Sequence, residues 1–239
     1  FTHKKIYLFI HSHILKMSIS QVLINFFSSL ISPFIDKVFF VSNFTKKWWL
    51  KYFLFYNFCK YEVFYNSVAL PKIVKKKNIA HNVGFVGRLE KEKGIDIFSN
   101  ITEYMVKYNF KFHVFGKGSF KEKIFKHKKV HIYNWESQNK IYKKIDILLL
   151  TSPVENCPFT VLESKSYGIP TLSISKGGVS EIVKNNFNGI VLKQNYSLKD
   201  IKKSLFKIKK NIKKFNKNCI IDSLNFDEKV YFKKLLKKM

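Results

Sequence analysis

The chain has 239 residues, 44 of them lysine or arginine and 16 aspartate or glutamate, for a formal net charge of +28. That surplus invites a nucleic-acid partner, but Arg88 is the only arginine, whereas nucleic-acid modules favour arginine for its bidentate geometry; the lysines read as a compositional bias. Cys59, Cys157 and Cys219 lie far apart with no C-x-x-C, which argues against a zinc site and a disulfide framework and leaves a reducing, cytosolic setting as the default.

There is chain enough for one complete α/β domain and part of another. The sequence opens at Phe1 within a predicted strand, so it reads as a piece whose beginning is missing, with any leader out of view. Residues 6–10 read as that strand, ending in His11-Ser12-His13. A helix covers 18–30. The stretch 17–35 is uncharged but carries five serines with Gln, Asn and Pro, which suits a buried or membrane-facing amphipathic helix better than a membrane span. Residues 37–41 form a strand, and Ser42 caps a helix through Trp48 and Trp49. A short strand at 63–65 closes on Asn66-Ser67. Residues 70–81 hold Lys75-Lys76-Lys77, lack periodicity and read as a linker.

A second series opens at residue 82. Strands are expected at 82–87, 111–116, 130–134, 146–151, 171–175 and 190–192. Helices are expected near 94–107, 119–127, 137–144, 158–167 and 179–185. Alternation of this kind implies a parallel, doubly wound sheet. Residues 197–218 read as one long lysine-rich helix with Ile201, Leu205, Ile208 and Ile212 on one face, and 225–239 as a final helix.

Two carboxylates stand eight positions apart in this series, Glu155 and Glu163. Glu155 lies in the loop after the apolar run 145–152, a strand buried on both faces. Glu163 lies on the helix that Pro158 opens and that Gly168 and Pro170 close. In open α/β sheets that strand edge binds ligands. The pair could serve as acid and base, or as an N-terminal helix charge and a solvated face. Gly87-Arg88 ends a strand and Lys93-Gly94 leads into a helix. A guanidinium fork and a compact ammonium suit a diphosphate, although Arg88 could equally pair with Glu90 or Glu92. Gly116-Lys117-Gly118 follows a strand but lacks the third glycine of a dinucleotide fingerprint, position 121 being Lys. It lets backbone approach a nucleotide, or is a plain turn. The N–H groups of Phe159, Thr160 and Val161 open a helix, a setting that suits phosphate. Gly177-Gly178 permits a close backbone approach, and Glu181 is placed to cap the next helix. No D-x-D occurs among the six aspartates.

Together these motifs carry a resemblance. Glu155 and Glu163, Gly168-Ile169-Pro170 and Gly177-Gly178-Val179-Ser180-Glu181 resemble the E-x7-E region of retaining glycosyltransferases of the GT-B fold, of the group 1 or GT4 type. Val86-Gly87-Arg88-Leu89, Lys93-Gly94, Phe115-Gly116-Lys117-Gly118 and Asn188-Gly189 extend it, in the family's order, over most of residues 38–192.

The resemblance implies an α/β GT-B architecture, two Rossmann-like domains facing a cleft, the N-terminal one incomplete. Residues 1–69 would be the partial acceptor-side domain, 70–81 the linker and 82–224 the nucleotide-sugar-binding domain. Residues 225–239 would be a helix packing back on the first domain. The implied activity, of hexosyltransferase type, moves a sugar from a nucleoside-diphosphate sugar to a saccharide or lipid-linked acceptor. It proceeds with retention, without metal or other cofactor, in polysaccharide or glycolipid assembly. The implied setting is the cytoplasm or the inner face of its membrane. The implied catalytic residues are Glu155, Arg88, Lys93 and a histidine after the first strand, either His11 or His13, with strand alternation favouring His11. The implied donor-binding set is Gly87, Arg88, Lys93, Gly116, Glu155, the amides of Phe159, Thr160 and Val161, and Glu163. Glu155 would contact the donor sugar and Glu163 the ribose, neither acting as nucleophile. Arg88, Lys93 and the helix start would stand in for a metal ion. The family's glycine-rich loop and most acceptor contacts are missing, so this chain is expected to bind donor even where transfer fails. Two other readings stand beside it, a GT-B sugar-nucleotide epimerase and a basic polyanion- or membrane-surface-binding protein. The lysines allow peripheral contact with an anionic membrane; no nucleic-acid partner is expected.

Overall fold

Short runs rich in β-branched and aromatic residues, each closed by a polar or glycine-containing turn, alternate with helices along the chain. The computed structural model describes residues 5–12, 23, 26, 27, 30, 34–72 and 79–238. The chain divides into two units, Phe1–Asn66 and Ser67–Met239.

In the first unit, β1 (Tyr7–Ile10), β2 (Lys37–Phe40) and β3 (Tyr61–Val63) form a parallel sheet in the order β1-β2-β3. Helix α1 (Asn43–Tyr52) starts where expected, because the Ser42 hydroxyl accepts the Thr45 N–H at 3.1 Å. Val38, Phe40, Trp49, Phe53 and Tyr56 make its core. Trp49 satisfies its indole N–H on the Ser12 carbonyl at 2.7 Å. The strand expected at 63–65 forms two residues earlier. Of the predicted helix at 18–30, Leu23, Phe26, Phe27 and Leu30 are helical. The rest of it, His13 and the Lys75-Lys76-Lys77 run lie outside the described residues. No helix among the described residues is long and apolar enough to cross a membrane.

The second unit holds β4 (Asn82–Val86), β5 (Lys111–Phe115), β6 (Val130–Tyr133), β7 (Ile147–Leu150), β8 (Val154–Glu155), β9 (Thr171–Ser173), β10 (Lys176–Gly177) and β11 (Gly189–Val191). Its helices are α2 (Ile95–Met105), α3 (Gln138–Lys144), α4 (Phe159–Ser166), α5 (Val179–Ile182), α6 (Leu198–Lys210), α7 (Ile212–Ser223) and α8 (Glu228–Leu236). Six strands pair in parallel in the order β11-β9-β7-β4-β5-β6. The chain therefore winds outward from β4 through β6, crosses back, and winds the other way from β7. The order reverses between β4 and β7, and the carboxyl ends of those two strands flank the crevice where such sheets bind ligands. Every residue of β7 is buried, as a strand covered on both faces requires. Phe85, Phe98, Phe112, Ile201, Leu205 and Ile208 belong to one core joining the sheet to α2 and α6.

Three helices expected in the second unit differ from what forms. Residues 119–127 make only a 3₁₀ turn, Lys121–Lys123. Ile124 is the one fully buried side chain there, so no apolar stripe holds a helix down. The long helix at 197–218 breaks at Asn211, whose backbone leaves helical geometry at φ −113° and ψ 24°. Its side-chain amide donates to the Lys207 carbonyl at 2.9 Å, closing α6. The helix at 179–185 is a single turn, α5.

Candidate functional site

The loop after β4 is laced to the loop after β5. Leu89 N–H donates to Lys117 O at 2.9 Å, and Phe120 N–H donates to Leu89 O at 3.0 Å. The Glu90 carboxylate accepts the Ser119 N–H at 2.8 Å and its hydroxyl at 2.7 Å. Those bonds, the backbone one first, hold the Glu90 carboxyl below its ordinary pKa. Gly116 works here by close approach: a Cβ on it would overlap the Gly87 carbonyl oxygen. Gly94 closes the 3₁₀ turn Lys91–Lys93 at φ 69° and opens α2. A Cβ on Gly94 would overlap the Thr151 carbonyl oxygen. The β4 loop is thus seated directly on the end of β7.

That seating brings Lys93 to Glu155. Lys93 Nζ donates to Glu155 Oε1 at 2.7 Å, with the two side chains 31% and 14% exposed. Glu155 itself is fixed by the small β8–β10 pairing, in which Gly178 N–H donates to Glu155 O at 2.9 Å. Sequence reasoning missed these two-residue strands, which are too short to carry a period. Pro158 then acts as the N-cap of α4, with φ −68° and ψ 125°, one place before the position expected for it. The N–H groups of Phe159 and Thr160 meet no acceptor among the described residues, while Val161 N–H donates back to Pro158 O at 3.2 Å. Arg88 is exposed and pairs with Glu92 in the adjoining 3₁₀ turn. Gly87, in the same loop, donates its N–H to Phe115 O at 3.0 Å. His11 is exposed just beyond β1, in the first unit.

Glu163, one turn into α4, is held by α3. Its Oε2 accepts the Tyr142 hydroxyl at 2.7 Å and its Oε1 accepts Gln138 Nε2 at 2.9 Å. Tyr142 is 1% exposed; burial, then the Glu163 charge, push its pKa well above the ordinary value. Helix α4 ends as expected at Gly168, with φ 71°. Gly168 N–H donates to Lys165 O and Ile169 N–H to Ser164 O, both at 2.9 Å, the paired bonds of a Schellman cap. Behind α4, Lys165 Nζ donates to Ile182 O and to Asp222 Oδ2, each at 2.7 Å. Lys184 Nζ reaches Asp222 Oδ1 at 2.6 Å, and Asn188 Nδ2 reaches Oδ2 at 2.9 Å. Burial disfavours the Asp222 carboxylate, yet the Lys165 and Lys184 ammonium groups outweigh it and hold its pKa below the usual range. Among the described residues, no three His, Cys, Asp or Glu side chains converge as a metal site would need.

An uncharacterised glycosyltransferase of Methanocaldococcus jannaschii is 30% identical over 117 residues, 44% of this chain and 30% of that protein. The lipopolysaccharide 1,6-galactosyltransferase of Escherichia coli K12 is 33% identical over 121 residues, 44% of this chain and 33% of that protein. The match thus spans only about a third of either relative. The crystal structures of Anabaena HepE with UDP and with UDP-glucose superpose with a TM-score of 0.80 at 16% identity, covering 98% of this chain and 72% of that one. Likeness of that extent shows the fold, the α/β GT-B architecture expected from the motifs. None of these matches favours the epimerase or the polyanion-binding reading. Residues 70–222 match the family described as glycosyl transferases group 1, well over half of the chain. The chain therefore belongs to the group 1 glycosyltransferases.

Proposed function

We propose that this chain acts in transfer of a hexose from a nucleoside-diphosphate sugar to a saccharide or lipid-linked acceptor, with retention and without a metal ion, as a GT4-type enzyme. The observation that carries the reading is the Lys93–Glu155 ion pair at the carboxyl ends of β4 and β7, followed directly by the start of α4. A departing nucleoside diphosphate takes the electron pair of the anomeric C–O bond and gains negative charge. Lys93, Arg88 and the Phe159 and Thr160 amides offer that charge fixed positive partners. In this reading the Lys93 ammonium moves from Glu155 to a phosphate oxygen. Glu155 is then free to accept hydroxyls of the donor sugar, while Glu163 takes the ribose. Gly87 and Gly116 keep the floor of the site thin, and His11 serves the acceptor side. UDP and UDP-glucose in the structures of HepE, and the lipopolysaccharide acceptor in the name of the Escherichia coli relative, support the donor and acceptor classes. The lysine surplus supports peripheral contact with an anionic membrane at its cytoplasmic face.

The test is a thermal-shift screen with UDP, GDP and ADP, since a ligand raises the melting temperature only by binding the native state. One diphosphate is expected to stabilise the protein, and Lys93→Ala is expected to abolish that effect. Failure of all three to bind, or wild-type binding by Lys93→Ala, would overturn the proposal.

A further inference from the structure

Glu163 is held near the crevice by two side chains, and both of them lie on α3. A glutamate on a helix face ordinarily samples several rotamers. Here each carboxylate oxygen already accepts one bond, Oε2 from Tyr142 at 2.7 Å and Oε1 from Gln138 at 2.9 Å. Tyr142 and Gln138 are four positions apart, so one face of α3 presents both donors. The Tyr142 ring is buried and stacks on Tyr167 with centroids 5.2 Å apart. Its hydroxyl, with a single proton, faces the Glu163 carboxylate at 2.7 Å and the Thr160 carbonyl at 3.3 Å. The shorter, charge-assisted bond takes that proton. A carboxylate offers about four acceptor positions. Two are filled, one per oxygen, and one per oxygen remains. A vicinal diol brings two O–H donors side by side, which is what the remaining pair accepts.

We propose that Tyr142 and Gln138 are positioning residues that lock the Glu163 carboxylate for two-pronged acceptance from the 2′- and 3′-hydroxyls of the donor ribose, and so set a preference for ribo- over deoxyribonucleotides. The proposal rests on the reading of Glu163 as the ribose contact. A misplaced carboxylate keeps its charge but loses the paired geometry, so ribose discrimination falls before affinity for the diphosphate does.

The experiment is calorimetric titration of UDP, GDP and ADP and of their 2′-deoxy counterparts. The proteins are wild type, Tyr142→Phe, Gln138→Ala and Glu163→Ala. Wild type is expected to bind its ribonucleotide about tenfold more tightly than the deoxy form, as loss of one hydrogen bond to a charged acceptor implies. Tyr142→Phe and Gln138→Ala are each expected to shrink that ratio to about threefold or less while leaving affinity for the deoxy form within about twofold. Equal losses on both ligands would mark a merely structural role and overturn the proposal. If Glu163→Ala abolishes discrimination but the other two keep the wild-type ratio, the positioning role is wrong and the ribose assignment stands. If Glu163→Ala keeps the ratio, or none of the three diphosphates binds, the ribose assignment falls and this inference with it. Gln138 is exposed, so its variant folds and carries the test should Tyr142→Phe not.

Discussion

Lys93 and Arg88 leave the same loop and carry the same charge, yet their surroundings separate what each does for stability from what each does for a ligand. Lys93 is paired at 2.7 Å to a glutamate only 14% exposed. Lys93→Ala strands that carboxylate and is expected to cost about 1–2 kcal/mol in urea unfolding, besides removing nucleotide binding. The Arg88–Glu92 pair is solvent-exposed. Arg88→Ala is expected to change stability by less than about 0.5 kcal/mol while weakening nucleoside-diphosphate affinity at least tenfold, by loss of a charged phosphate contact. Equal stability losses in the two variants would contradict this division. A third residue reports on pH. His113 donates from Nε2 to Asn82 Oδ1 at 3.0 Å, and the Asn82 amide is in turn anchored on Asp146. Burial first, then His131, lower the His113 pKa to about 4 against an ordinary 6.5. The unfolded chain therefore takes up a proton near pH 6.5 that the folded chain refuses until about pH 4. Stability is lost as pH falls through that window, by at most roughly 3 kcal/mol. Unfolding midpoints at pH 7 and pH 5 should converge in His113→Gln. Arg88, Glu155 and Glu163 could be singled out as candidates from the sequence because one is a lone arginine and the others share a recognisable spacing. Tyr142 and Gln138 were not, since their partner lies on another helix and no local pattern records it.

At the level of elements, what was legible follows how much apolar surface each one buries. α2, α4 and α6 appear near their expected places because each presents a buried face. The segment at 119–127 has no such face, and its helix does not form. β8 and β10 escaped notice because a two-residue strand has no alternation to read, yet they set the backbone of Glu155. The turn at Gly94 has the sharpest consequence. Its φ of 69° and the Thr151 carbonyl both exclude a side chain. Gly94→Ala is expected to destabilise by about 2 kcal/mol or more, and to lower nucleotide affinity as well, because the displaced backbone carries Lys93. Urea unfolding and a titration with UDP, GDP and ADP on one preparation would show both effects. A variant with native stability and affinity would mean that the β4 loop does not depend on its seat against β7.

On the scale of the molecule, alternation of strands and helices predicted a doubly wound parallel sheet, but not which side of β4 each crossover takes. That choice, and with it the reversal between β4 and β7, is settled by packing over long sequence separations, which no short window records. The same holds for the clamp behind α4. Lys165 and Asp222 lie 57 positions apart, and their side chains are 3% and 2% exposed. A buried pair of this kind is weak evidence for net stability, because desolvating both ions offsets their attraction. Its meaning lies in what happens when one partner goes. Asp222→Ala leaves a buried ammonium with no carboxylate partner, facing the Ile182 carbonyl and the Phe226 ring, and is expected to cost about 3–5 kcal/mol. Replacing both partners, as in Lys165→Met with Asp222→Leu, removes the uncompensated charge and is expected to recover most of that loss. If the pair serves only stability, the double variant should match wild type in nucleotide affinity. If it fixes the orientation of α4, the double variant should fold and yet bind the diphosphate more weakly, since Phe159, Thr160 and Glu163 all ride on that helix. A double variant no more stable than Asp222→Ala would show that the clamp is more than a buried ion pair awaiting its partner.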